Sequence, residues 1–239
     1  VTNTSPQTAT PVVIYVQPTS APAPARYAGL FYAYHFWSPP SIDGGWDDWG
    51  GTAYSASYVT YGASQWTGEA DLSSTFRVGW DSSYLYIAAK VRDDQYAQHA
   101  TGQDLYLGDS LEILLDSDLF NDFYTAALNY DDYQMGISPG YGDTNGTKEA
   151  VVWFPKGGNG TRSGVRIASM SFDGGYRVEA AIPWGDLGVS PYAGQQLGFV
   201  FSVSDNDDTS QNVQQSMVSS VSGRKLTNPN TWGELILSY

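Results

Sequence analysis

Apolar and polar side chains alternate along most of this chain, and this period of two constrains its fold more than any other feature. In residues 84–91, for example, Leu85, Ile87, Ala89 and Val91 would share one face of a strand. The same alternation recurs in 76–80, 111–116, 176–182, 197–203 and 232–237. No segment keeps helical spacing over three turns, so the chain is predicted to be all-β.

Short Gly-, Asp-, Asn- and Pro-containing turns separate these segments, which is typical of antiparallel strands. About a dozen short strands over residues 27–239 predict a single antiparallel β-sandwich domain of the jelly-roll type. The segment 183–188 predicts one short helical turn that starts at Pro183.

Residues 1–26 have a different composition and are expected to form an extended N-terminal strand and a linker. The Pro/Ala/Thr-rich stretch 17–25 favours the polyproline II conformation. Before it stand five consecutive strong β-formers, Val12, Val13, Ile14, Tyr15 and Val16. Two interpretations stay open: a disordered leader, or a strand that docks on its own domain or on a neighbouring subunit.

Composition excludes several classes of function. The 239 residues include 25 acidic and 11 basic ones, a formal charge of −14 that disfavours nucleic acid and anionic membrane surfaces as partners. There is no cysteine for thiolate, disulfide or iron–sulfur chemistry, and His35 and His99 are the only histidines. No apolar run is long enough for membrane insertion. The Tyr-, Thr-, Ser- and Gly-rich composition favours an exported chain, extracellular or at the cell surface, whose signal peptide has been removed.

Several blocks of sequence together resemble one family. They are Pro40–Gly44 with Trp46 and Trp49, Phe76–Asp81 with Tyr84–Ile87, Gly108–Asp116, Tyr176–Trp184 and Trp232–Leu235. Their order and spacing are similar to those of the family 9 carbohydrate-binding modules, within the DOMON-like sandwich group. The resemblance implies a sandwich fold. It also implies a sugar site in which two Trp side chains clamp a terminal glucose unit beside a Glu and an Arg.

The sugar site carries over only in part. Glu112 matches the family glutamate, Tyr106 falls where the first clamp Trp is expected, and Gln134 precedes the position of the Arg. Residues 135–137 supply no guanidinium and residues 216–219 supply no aromatic. Tyr106, Glu112 and Gln134 are therefore the candidate carbohydrate-binding residues of an incomplete clamp. The alternative for Glu112 is a structural carboxylate that caps a loop amide.

Two acidic loops are candidate calcium sites, because Ca²⁺ takes six to eight oxygen ligands. Their candidate ligands are Asp116, Asp118 and Asp122 in one loop and Asp205, Asp207 and Asp208 in the other. The resemblance also implies structural Ca²⁺, whereas the alternative is turn chemistry in which Asp bonds its own backbone. No haem is expected, since neither histidine lies in a strand that clearly faces a methionine.

Two functions from different classes follow. The first is a non-catalytic module that binds a polysaccharide or cell-wall glycan. A hydrolase is disfavoured, since nothing in the sequence places Glu112 and Glu179 across one cleft. The second is a subunit of an extracellular filament, in which residues 11–17 are donated as a strand to an identical subunit and Val12–Val16 make the contact.

Overall fold

The computed structural model describes Arg26 and residues 28–239. The strand predicted within residues 11–17, with Val12, Val13, Ile14, Tyr15 and Val16, lies outside the described residues, as does the linker 17–25. Arg26 is the first described residue, and its side chain is buried against Asp116.

Fourteen strands account for most of the regular structure in the described residues. They are β1 Leu30–His35, β2 Tyr54–Ala56, β3 Tyr58–Tyr61, β4 Leu72–Trp80, β5 Tyr84–Asp93, β6 Ser110–Asp116, β7 Asp132–Ser138, β8 Glu149–Phe154, β9 Gly160–Thr161, β10 Arg166–Phe172, β11 Gly175–Pro183, β12 Gln196–Asp205, β13 Ser216–Ser219 and β14 Gly233–Leu237. The helical elements are short: 3₁₀ turns at Gly102–Leu107, Trp184–Leu187 and Pro229–Thr231, and a single-turn helix α1 at Leu119–Asp122. The predicted helical turn at 183–188 is therefore confirmed.

The strands form two layers of one curled sheet. We call the layer of β14, β12, β13, β3, β6, β7, β8 and β9 the front sheet, and that of β10, β11, β5, β4 and β2 the rear sheet. Strand β1 joins them, because Leu30–Ala33 pair with β14 and Tyr34–His35 pair with β4. The all-β sandwich prediction is confirmed.

The expectation of purely antiparallel pairing needs one correction. Strand β1 runs parallel to both β14 and β4, so the sheet is mixed. The reason is that β1 lies between β4 and β14, which are both distant from it along the chain, and is not one arm of a hairpin. A period of two determines which residues face inward but not the direction of the neighbouring strand.

The core between the layers is aromatic and aliphatic, as the alternation requires. Phe76 of the rear sheet stacks on Phe201 of the front sheet, with ring centroids 4.5 Å apart and planes at 22°. Phe31 of β1 packs edge-on against Phe199 at 5.6 Å. These rings are nearly or fully buried, so the inward faces of both sheets form the core. A binding site must therefore lie on the outward faces or at the ends of the sandwich.

Part of the rear sheet's outer face is covered by the loop that follows β1. Trp49 and Phe36 of this loop pack on Tyr86 and Ala181 in a small second apolar cluster. Underneath, the fully buried Glu179 accepts hydrogen bonds from the backbone N–H groups of Asp43 (2.8 Å) and Gly44 (2.6 Å) and from the Trp49 indole. The Pro40–Trp49 block thus closes one end of this face.

Among the described residues, no helix has the length and apolar character needed to cross a bilayer.

Candidate functional site

Glu112 lies at the centre of a polar cluster on the outer face of the front sheet. Strand β6 places it between Ser202 of β12 and Gly136 of β7. Its carboxylate accepts a 2.7 Å hydrogen bond from Gln134 Nε2. Glu112 is only 5% exposed, because the walls of a pocket rise around it.

A guanidinium faces Glu112 from a loop that the sequence did not single out. Arg224, in the loop after β13, brings Nη2 to 2.8 Å from Glu112 Oε1, and the same Nη2 approaches the Met217 sulfur. Within the described part of the chain, Arg224 Nε is buried without a hydrogen-bond partner. Glu112 Oε1 is therefore engaged in the ion pair, whereas one donor of the guanidinium remains unpaired.

Trp153 forms one wall of the pocket, and a glycine makes room for it. A register shift between β7 and β8 leaves Trp153 without a cross-strand partner. A Cβ at Gly136 would overlap the Trp153 ring, so the indole can lie over β7 only because residue 136 has no side chain. The Trp153 indole N–H donates to the Gln103 carbonyl at 3.0 Å, which holds the ring on this wall.

Tyr106 stands edge-on to Trp153, with ring centroids 6.1 Å apart and planes at 81°. It belongs to the 3₁₀ turn Gly102–Leu107, which the buried Gln98 ties to the sheet. Gln98 Nε2 donates to the carbonyls of Leu105 (3.2 Å) and Asp109 (2.8 Å). Tyr106 is 40% exposed, so part of its ring is open to a ligand.

The opposite wall comes from β3 and β13. Tyr61, which is 54% exposed, pairs in register with Met217. Thr60, Gln214 and Leu226 complete this side. The walls enclose about 530 Å³, within the size range of small-molecule pockets.

The structure thus brings together Tyr106, Glu112 and Gln134, the three candidates named from the sequence. The pocket also contains a guanidinium and a further aromatic ring, which residues 135–137 and 216–219 do not supply. Arg224 comes from a loop about 90 residues beyond the position at which the resemblance places the Arg, and Tyr61 enters through the pairing of β3 with β13. Neither residue could be assigned to the pocket from local sequence, because each reaches it from a segment that is distant in the chain. Gly136 was the sequence signal for the position of Trp153, because a glycine within a strand often marks the close approach of another group.

These groups suit recognition of a saccharide. Aromatic rings cover the apolar C–H face of a sugar ring, amide groups bond its hydroxyls, and charged groups bond them more strongly than neutral groups do. The pocket offers both, with the rings of Tyr61, Tyr106 and Trp153 around the polar side chains of Glu112, Gln134 and Arg224.

A slightly larger groove, of about 600 Å³, lies beside Arg162 and Asp186 and has fewer aromatic and unpaired charged groups. Its charged groups, Arg162 and Asp186, pair with each other at 3.6 Å, and Tyr133 is its one aromatic residue. Glycine, proline and hydroxyl residues make up the rest of its lining. Volume alone would favour this groove, but the convergence of aromatic and charged groups favours the pocket at Glu112.

Asp205 and Asp207 converge with Asp93, which the sequence reasoning did not name. Carboxylate oxygens of the three residues lie within 4.8 Å of one another, and Asp71 and Asp94 form a second group with Asp207. Burial, followed by the charge of Asp207, raises the pKa of Asp205 to about 8. Asp93 Oδ2, Asp205 Oδ1 and Asp207 Oδ1 are buried oxygens without partners in the described residues. Three such oxygens fit a hard cation such as Ca²⁺.

Asp116 and Asp122 converge with Asp131 in a second cluster. Asp116 is already paired with Arg26 at 3.0 Å, yet burial and the charge of Asp122 raise its pKa to about 6. Oδ1 of Asp122 and Oδ1 of Asp131 lack partners among the described residues. This cluster is less suited to a cation than the first, because the guanidinium already compensates part of its charge.

Asp118 and Asp208 lie outside both clusters. Asp118 accepts both of its side-chain hydrogen bonds from the Asn121 amide, and Asp208 accepts from Ser210 and Gln211. Their carboxylates serve local turns, which is the alternative considered for these loops. Spacing along one loop does not identify which carboxylates converge, because the clusters draw on several loops.

Glu112 and Glu179 lie on different faces of the molecule. Glu112 opens to the front pocket, whereas Glu179 is sealed under the loop on the rear sheet. The two carboxylates therefore do not form the facing pair on which a glycoside hydrolase depends.

Comparisons with known proteins support the same family. A family model described as "Carbohydrate family 9 binding domain-like" matches residues 42–239. The chain is 27% identical over 213 residues to endo-1,4-beta-xylanase A of Thermotoga maritima, covering 89% of this chain and 18% of that protein. It is 26% identical over 171 residues to exoglucanase XynX of Acetivibrio thermocellus, covering 72% of this chain and 14% of that protein. The chain thus spans less than a fifth of the length of these relatives.

Solved structures show the same fold. A family 9 carbohydrate-binding module of Caldicellulosiruptor kristjanssonii in complex with cellotriose superposes with a TM-score of 0.64 at 24% identity, covering 88% of this chain and 94% of that one. A putative carbohydrate-binding protein of Bacteroides uniformis superposes with a TM-score of 0.59 at 13% identity, covering 87% of this chain and 98% of that one. With the family model covering most of the residues, the chain belongs to the carbohydrate family 9 binding domain-like family.

Proposed function

We propose that the chain is a non-catalytic module that binds a neutral saccharide of glucose units in the pocket at Glu112. The observation that carries the proposal is the placement of Gln134 and Arg224 on one carboxylate, between the rings of Tyr61, Tyr106 and Trp153. The solved modules in complex with cellotriose and with glucose support the choice of ligand.

Calorimetric titration with cellotriose and with glucose tests the proposal. Trp153→Ala and Glu112→Gln are expected to weaken binding at least tenfold, since each removes one of the two kinds of contact. Trp37→Ala is the matched control, because Trp37 is 81% exposed and does not line the pocket. Equal affinity in all four proteins, or no binding by the wild type, would contradict the proposal.

The non-catalytic part of the proposal rests on the placement of the carboxylates. Glu112 opens to the front pocket and Glu179 is sealed under the loop on the rear sheet, and the matched relatives resemble this chain over less than a fifth of their length. Incubation with xylan and cellulose should release no new reducing ends. Turnover that Glu112→Gln abolishes would contradict this assignment.

We also propose that Asp93, Asp205 and Asp207 hold a structural Ca²⁺. Their buried oxygens without partners support it. Burial, followed by the charge of Asp207, raises the pKa of Asp93 to about 7, and a cation would compensate the carboxylate charge there. Since Asp93 ends β5 and Asp205 ends β12, the ion would connect the rear and front sheets. Its role is structural rather than chemical.

An extracellular or cell-surface location, and strand donation between identical subunits, stay predictions. Residues 12–16 lie outside the described part of the chain. The described residues do include an edge strand, β10, which pairs with β11 on one side and could accept a donated strand on the other. Deleting residues 1–18 should leave a folded monomer that does not polymerise, and filaments of the truncated chain seen by electron microscopy would rule out strand donation.

A further inference from the structure

The outer face of the rear sheet carries two cross-strand rows at the end that the loop leaves open. One row aligns Ser55, Thr75, Lys90, Arg177 and Met170 across five strands. The next row aligns Ser73, Arg92, Gly175 and Phe172. Neighbouring strands lie about 4.8 Å apart, so Lys90, Arg92 and Arg177 form one compact group, which we call the cationic rows.

The cations of these rows have no acidic partner among the described residues. The ion pairs found there within 4.0 Å involve Arg26, Arg162 and Arg224, and none involves Lys90, Arg92 or Arg177. Lys90 and Arg177 stand directly opposite each other, an arrangement that costs stability in a sheet. In a chain with 25 acidic and 11 basic residues, three neighbouring cations without a carboxylate are unexpected.

One aromatic ring holds two of the cations in place. Lys90 Nζ lies 4.8 Å and Arg177 Cζ 5.7 Å from the centroid of Phe172. Such cation–π contacts offset part of the repulsion and orient the charges without neutralising them. The positive charge is therefore ordered and still available to a partner.

A groove of about 330 Å³ runs beside the cations, across β2, β4 and β5. Hydroxyl groups of Ser55, Ser57, Ser73 and Thr75 line it together with Lys90 and Arg92. Glu69 is the one carboxylate in its lining. The groove thus offers hydroxyls for neutral polar groups and two cations for an anion.

At the closed end of the same face, a cation has its partners within the chain. Arg77 stacks on Trp46 at 5.2 Å and donates to the Trp49 carbonyl, so the loop covers it. Nothing among the described residues covers the cationic rows in this way. The two ends of the face differ in that one is completed within the chain and the other is open to solvent.

We infer that the cationic rows and the adjoining groove bind a carboxylated saccharide, one built from uronic acid units. Guanidinium and ammonium groups pair with carboxylates, and the hydroxyl-lined groove suits the ring hydroxyls of such a sugar. The site is on the opposite side of the sandwich from the pocket at Glu112. It is independent of the neutral-sugar proposal.

Titration with an oligogalacturonate at low ionic strength tests the inference. We expect saturable binding, no binding of the fully methyl-esterified form, and at least a tenfold loss in Lys90→Gln/Arg177→Gln. Arg166→Gln is the control for a single lost charge on the same face, since Arg166 lies at the far end of β10, where it stacks on Tyr84, and it should change affinity less than threefold. If the double variant does not fold, Arg92→Gln replaces it, because Arg92 is exposed.

Other outcomes would overturn the inference. Equal binding of poly-glutamate or single-stranded DNA would show a site for any polyanion, and equal losses in Arg166→Gln would show attraction without a defined site. Self-association that the double variant abolishes in sedimentation would assign the rows to a second copy of the chain. Cellotriose affinity should be the same in the double variant and the wild type, which separates this test from that of the front pocket.

Discussion

The two outer faces of the sandwich each present a glutamate from a central strand, and the two residues have opposite fates. Glu112 on the front sheet is 5% exposed and Glu179 on the rear sheet is fully buried. Glu179 receives three donors from the loop above it, and that loop fills the space. Glu112 receives Gln134 and Arg224 from its sides, and the space above it stays open. The difference shows that the covering loop, not the residue type, decides whether a carboxylate is structural or can bind a ligand.

The largest expected effect is on the stability of the closed face. Glu179→Ala removes the acceptor of three donors, and we expect the free energy of unfolding to fall by about 3 kcal/mol. Urea denaturation followed by tryptophan fluorescence measures it. Glu112→Gln should cost less than half as much, because the amide keeps an oxygen beside Arg224 and the pocket is open to water. Equal losses would break the contrast between the two faces.

Removing the proposed calcium ion should loosen both faces together, since the cluster lies between β5 and β12. A metal present at a hundred times its dissociation constant stabilises the folded state by about 2.7 kcal/mol. We therefore expect chelation with EGTA to lower the melting temperature, and Ca²⁺ to restore it. Asp205→Asn should abolish the difference, whereas Asp208→Asn should retain it, because Asp208 serves a local turn. A melting temperature that chelation leaves unchanged would refute the calcium proposal.

A smaller effect, on saccharide affinity, is expected from replacing Gly136, which lies beneath the Trp153 ring. Gly136→Ala places a methyl group in the volume of the Trp153 ring. Displacement of the indole should weaken saccharide binding about tenfold, or about 1.4 kcal/mol. Gly185→Ala is the control, since a Cβ there meets nothing within 4 Å. Calorimetry measures the saccharide affinity of both variants. Equal affinities would contradict the assignment of Trp153 to the wall of the binding pocket.

The smallest effect concerns the open end of the rear face. Lys90→Gln removes one of two like charges that oppose each other, so we expect a change of only a few tenths of a kcal/mol. Lys156→Gln removes the same charge from an exposed loop, where no such repulsion is relieved. Thermal melting at low salt should find Lys90→Gln the more stable of the two, and 1 M salt should remove the difference. The reverse order would show that Lys90 stabilises its surroundings.

Sequence reasoning predicted the strands well because each depends on local alternation. Residues 84–91 and 176–182 lie inside β5 and β11, with Ile87, Val91 and Val178 facing inward as expected. It placed Tyr106, Glu112 and Gln134 in a candidate site through a family pattern that spans neighbouring strands. It missed Arg224 and Tyr61, because each reaches the pocket from a strand or loop far away in the chain.

The acidic clusters also combine residues that are distant in the chain. Asp205 and Asp207 were named from one loop, but Asp93 joins them from β5, more than a hundred residues earlier. Asp118 and Asp208 were named from the same loops and serve turns instead. Proximity along the chain predicts turns, whereas a cluster of buried carboxylates depends on which loops meet.

The amino-acid sequence alone determined that this protein is a two-layered β structure, since alternation fixes which side of each strand is apolar. Through the family resemblance it also named Tyr106, Glu112 and Gln134 as candidates for one site. Only the tertiary structure decided that β1 runs parallel to its neighbours, that Arg224 and Trp153 meet at Glu112, and that Glu179 is sealed. The physical reason is that strand periodicity is a property of neighbouring residues, whereas strand direction, loop cover and charge pairing depend on which distant segments come together.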